Sequence, residues 1–156
     1  MKKDIDSISD NELRDTASKL ILFLSQNDMT FERDREYWKN QSYWYVKYKN
    51  EIVCFILINA KGDEEKFSPF TVWSDDSGSE WFKDSKLEKG IESTALAHID
   101  ICEKCGACRG GSDKQIFGKK YHNVCRTTFR FINPNSKELT CLEQLILLRK
   151  NDVDKK

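Results

Sequence analysis

The stretch YWYVKYKNEIVCFILI, residues 43–58, changes pattern halfway along. Its first half alternates, with Trp44, Val46 and Tyr48 on one face and Tyr43, Tyr45, Lys47 and Lys49 on the other, the period of a strand with one wetted face. Its second half, IVCFILI, has no polar break, as befits a strand covered on both faces. Asn50 and Glu51 suit a tight turn, so residues 43–59 predict a hairpin at the centre of a sheet.

Working outward, KGDEEK reads as a solvated loop and FSPFTVW as a third strand over 68–73, with Pro69 near its start, where a missing amide donor is tolerated. TTFRFIN, ended by Pro134, supplies another strand over 127–132. Before the hairpin, Ser9 and Glu12 have capping-box spacing, and Leu13, Ala17, Leu20, Ile21 and Leu24 follow at helical intervals, predicting a helix over 10–26. FERDREYWKNQ reads as a short helix or a turn. Ser77 and Glu80 repeat the capping spacing and predict a helix running towards Ile101, with a break near Gly90. Asn135 and Glu138 open a last helix over 136–149, with residues 151–156 as a frayed tail. The expected fold is a single α+β domain over residues 1–156, an antiparallel sheet covered by its N- and C-terminal helices.

Composition excludes several classes. The 26 basic and 26 acidic residues cancel, so no global field draws the chain to nucleic acid or to an anionic membrane. No apolar run approaches the ~20 residues that span a bilayer, and MKKDIDSISDNELRD lacks the apolar centre of a signal peptide, which predicts a cytoplasmic protein. G-x-S-x-G, Walker and G-x-G-x-x-G patterns are missing, so no catalytic nucleophile is visible outside the cysteines and a non-enzymatic role is expected.

The chemistry concentrates in CEKCGACRGGSDKQIFGKKYHNVC, residues 102–125. Cys102, Cys105 and Cys108 form two overlapping C-x2-C units, and Cys125 follows across a polar, glycine-containing loop. In a reducing compartment four such sulfurs point to metal or redox chemistry before a disulfide framework, and tetrahedral Zn(II) takes four N or S donors. His122 is the reserve ligand, able to stand in for Cys102 or Cys108, and His98 is a spare donor. Three rivals remain: an iron–sulfur cluster, a redox dithiol at Cys105 and Cys108, and a loop of four reduced thiols. Cys54 and Cys141, within apolar segments, read as small buried hydrophobes.

A second candidate is a ligand cleft. Tyr43, Tyr45, Trp73 and Trp81 bring apolar area with a polar handle, and Asp75 and Asp76 stand between them in sequence. The same acids are what a turn or helix N-terminus uses to satisfy open amide donors. The partner is expected to be a small molecule or a protein.

FRFINPNSKELTCLEQLILLRKND resembles the close of YdhG-like domains, small bacterial proteins, and YWYVKYKNEIVCFILI is similar to their central strands; YWYVKYK, FSPFTVWSDDSGSEWF, the C-x2-C-G-x-C cluster, IFGK, NVC and FRF-x-NP together resemble a group of cytoplasmic bacterial proteins over about residues 36–152. The resemblance implies an α+β fold and a bacterial origin, and carries no activity with it. The C-x2-C-x2-C loop departs from the ordinary YdhG-like pattern.

Overall fold

The computed structural model describes residues 1–34, 41–59, 68–103 and 109–156. Its centre is the expected hairpin: β2, Ser42–Tyr48, pairs antiparallel with β3, Glu51–Ile58. Lys49 and Asn50 form the connection with φ of 47° and 66°. Two positive φ values in a two-residue loop define the mirror-image turn whose twist matches that of the flanking strands. The turn thus sits one residue earlier than the Asn50–Glu51 reading, and a bulge between Val46 and Lys47 absorbs the change of register.

β1, Thr30–Arg33, pairs with β2, and β4, Phe70–Ser74, pairs with β3. Thr30–Arg33 is therefore a strand where a helix or turn is expected; residues 35–40 of that stretch, and the KGDEEK loop, lie outside the described residues. β5, Ile99–Ile101, and β6, Ser112–Ile116, both pair with the long β7, Lys119–Ile132, whose far end pairs with β4. The described strands form one antiparallel sheet of order β1-β2-β3-β4-β7-β5, with β6 on β7.

Helix α1, Lys2–Asp6, precedes α2, Asn11–Gln26. Asp10 caps α2, its side chain accepting from Leu13 N at 2.8 Å, so the cap is one residue after Ser9. α3 is only Lys89–Ala97. The helix expected from Ser77 does not form there because Asp75 takes the Ser77 amide and hydroxyl into a local turn. α4, Ser136–Asp154, opens with the expected capping box on Asn135 and Glu138 and continues through residues 151–154, where Val153 is buried.

The core lies between these helices and one sheet face. Ile56, Phe70, Phe129 and Phe131 meet Leu20, Leu24, Leu142 and Leu145, all buried. Each such side chain removed from water contributes about 1.5–3 kcal/mol, which is how a chain of this size holds a helical layer on its sheet.

Candidate functional site

β7 is an alternating strand, so Phe129 and Phe131 point into the core and Arg130 to the opposite face. On that opposite face the register lines up one row across four strands: Tyr45 opposite Phe55, Phe55 opposite Trp73, and Trp73 opposite Arg130. The rings touch. Tyr45 and Phe55 meet edge-on with centroids 5.7 Å apart, Tyr43 stacks on Phe55 at 5.8 Å, and Tyr43 and Trp73 lie 6.2 Å apart. Burial, with Tyr45, Asp76 and Asp34 nearby, pushes the Tyr43 phenol above its ordinary range and keeps it a neutral group.

The row continues onto β5 through charge. Arg130 Nη2 lies 3.2 Å from Oδ1 of the buried Asp100 carboxylate. Burial raises the Asp100 pKa, while Arg130 and Cys125 pull it back. The aromatic row and the cysteine strand thus share one side of the sheet, joined by Arg130 and Asp100.

Beyond Asp100 the chain leaves β5 at Cys102. Cys102 N donates to Asn123 O at 2.8 Å, and Asn123 Nδ2 donates to Cys102 O at 3.0 Å. Where the chain returns, a Cβ on Gly111 would stand 2.6 Å from the backbone and side chain of Asn123, so only glycine fits. Asn123 has φ 55°, a left-handed conformation that asparagine tolerates better than most residues. Both feet of the segment between Cys102 and Gly111 therefore rest on Asn123, two residues from Cys125. Along 100–102 the strand alternation puts Cys102 on the Asp100 side, with Ile101 facing out, half-exposed.

Cys102 and Cys125 are unbridged thiols, the first buried and the second half-buried. Cys105 and Cys108 lie outside the described residues. Among the described residues no three His, Cys, Asp or Glu side chains converge as a metal-binding group. His122 pairs with Asp113 at 3.0 Å on the exposed face of the β6–β7 hairpin. His98 stacks on Phe131 at 4.3 Å, with Nδ1 2.8 Å from Thr94 O and Nε2 3.1 Å from Glu138, a structural position at the end of α3.

The structure divides the expected cleft. Tyr43, Tyr45 and Trp73 come together on the row, and Asp76 stands 4.0 Å from Arg126 on the exposed surface. Asp75 and Trp81 go the other way. Trp81 packs on Phe82 and Phe129 in the core and donates from Nε1 to Asp75 Oδ1 at 2.7 Å. Asp75 Oδ2 lies 3.0 Å from Nε of Arg149, an ion contact without the alignment of a hydrogen bond. Arg149 is fully buried and reaches Asp152 at 2.5 Å and Glu51 at 3.2 Å. An unpaired guanidinium or carboxylate here would be costly, so Asp75 is committed to the fold. Cys54 and Cys141 are buried as expected; burial raises both thiols, Cys141 to about 12.

Sequence reading missed Arg130, Asp100 and Phe55 as parts of the row. The signal for the first was FRF, whose alternation sets Arg130 opposite two core phenylalanines. Asp100 carried no such signal, because a three-residue strand is too short for a period to show.

No protein-family model, curated protein or solved structure matches the chain. No described helix is long and apolar enough to cross a membrane.

Proposed function

We propose that the protein is a non-enzymatic, cytoplasmic binding domain for a small molecule or a protein, of the YdhG-like kind, in which Cys102, Cys105, Cys108 and Cys125 hold one structural Zn(II). The observation that carries the zinc reading is the double attachment of the cysteine segment to Asn123. Cys102 is fixed at one foot, Cys125 stands beside both, and Cys105 and Cys108 each lie three residues from a foot. Four thiolates gathered at one site would repel unless a cation neutralised them, and zinc would do so without redox chemistry. The half-buried side chains of Tyr45, Trp73 and Arg130, seated around the buried Phe55, are the contacting face: aromatic area ending in an arginine is the composition of a recognition surface.

Purification without oxygen followed by metal analysis tests this. About one zinc per chain is expected, with Cys105→Ser lowering metal content and Cys54→Ser leaving it unchanged, and with chelation loosening residues 102–125 while the β2–β3 hairpin stays ordered. A coloured, iron-containing protein would replace zinc with an iron–sulfur cluster. Protein free of both metals under reducing, metal-replete conditions would end the metal reading.

A further inference from the structure

A groove of about 210 Å³ lies between the turn at 75–82 and the β6–β7 hairpin, with Ser112, Asp113 and Lys114 from the returning end of the cysteine segment in its wall. Phe117 N and Gly118 N at the hairpin tip donate to the carbonyls of Phe82 and Lys83 at 3.1 and 2.9 Å and hold the two banks in place. We propose that this groove binds the carboxylate of a small organic acid, with Lys114 and Arg126 as its cationic partners.

Lys114 carries the argument. Its half-buried ammonium donates to Arg126 O at 2.8 Å and Thr128 Oγ1 at 2.7 Å and stands 5.7 Å from the Phe82 ring centroid. Among the described residues no carboxylate lies within ion-pair distance of it, and an ammonium has three donors, of which two are used here. The Arg126 side chain is 71% exposed at the mouth of the groove, its nearest carboxylate being Asp76 at 4.0 Å.

Three acids also line the groove, but each is engaged elsewhere. Asp75 serves Arg149 and Trp81, Glu80 pairs with Lys83 at 3.2 Å, and Asp113 pairs with His122 at 3.0 Å. Their charge sets the ligand class, because a dianion meets more repulsion from this rim than a monoanion does. The volume holds the equivalent of about seven waters, the scale of a short organic acid.

The second support is backbone strain. Thr128 is β-branched and buried, yet its φ is 64°, a region that such residues avoid. Ser74 holds the strained peptide from both sides, its hydroxyl donating to Thr127 O and accepting from Phe129 N at 3.2 Å. The result is a Thr128 hydroxyl turned onto Lys114, and strained residues of this kind concentrate at ligand clamps.

The test is a two-dimensional amide NMR titration of the full chain with sodium pyruvate, with sodium chloride at matched ionic strength and inorganic phosphate as separate arms. Saturable shifts are expected for pyruvate at Gly78, Ser112, Lys114 and Thr128, with at least fivefold weaker binding in Lys114→Gln and in Arg126→Gln and unchanged binding in Lys137→Gln. Arg126→Gln alters an exposed side chain, so its spectrum stays folded even if Lys114→Gln disturbs the hairpin. Shifts equal to those with chloride, or binding that survives Arg126→Gln, overturn the proposal. Tighter binding of phosphate than of pyruvate overturns the carboxylate assignment.

Discussion

Asn123 does three things at once: it adopts a left-handed backbone, accepts the Cys102 amide, and donates to the Cys102 carbonyl. Alanine there loses the side-chain hydrogen bond and pays for positive φ, whereas glycine loses only the hydrogen bond. Urea unfolding should rank Asn123→Ala, down by about 2 kcal/mol, below Asn123→Gly, down by about 1 kcal/mol. The cysteines differ by the same kind of local reasoning. A folded thiol raised by burial stays protonated, so its share of stability is complete below the unfolded value of 9.0 and drains away as pH rises towards about 12 for Cys141. Native protein treated with iodoacetamide at pH 8 should therefore leave Cys54 and Cys141 unmodified while unfolded protein is alkylated at both, as mass spectrometry of tryptic peptides would read.

Among the elements, the apolar and alternating ones were legible in the sequence and the polar ones were not. IVCFILI and the leucine spacing of α2 and α4 announce themselves because burial demands a period. SDKQI and KKYHN form β6 and the start of β7 with hardly any apolar signal, since a hairpin arm wetted on much of its surface needs none; only the Phe117–Gly118 turn, with both φ positive, marks it. The cysteine motif was readable as a motif, but its attachment to Asn123 depends on β5, too short to foresee. The buried end of α4 escaped notice because Arg149 and Asp152 look like solvated charges until Asp75 and Glu51 are seen around them. Arg149→Met should cost about 3–5 kcal/mol in chemical unfolding, because it strands the buried Asp75 carboxylate, while the double variant Arg149→Met with Asp75→Asn should recover part of that loss.

At the scale of the molecule, one sheet has two different faces: helices cover the first, and the second carries the aromatic row that ends at Arg130 and Asp100. The central position of β3 makes it intolerant of charge. Ile56 is fully buried, and Ile56→Asp should abolish the cooperative thermal transition seen by circular dichroism; a soluble variant that melts like the parent would contradict its place in the core. The Arg149 cluster also has a meaning in time. Arg149 and Glu51 are 98 residues apart in the chain, and Asp75 lies between them. A chain made from its N-terminus completes the β2–β3 hairpin long before the guanidinium exists. Until α4 arrives, two carboxylates and an open core edge wait without their counterion, so the nascent protein passes through an interval in which the whole sheet has been made and its interior is still unsealed.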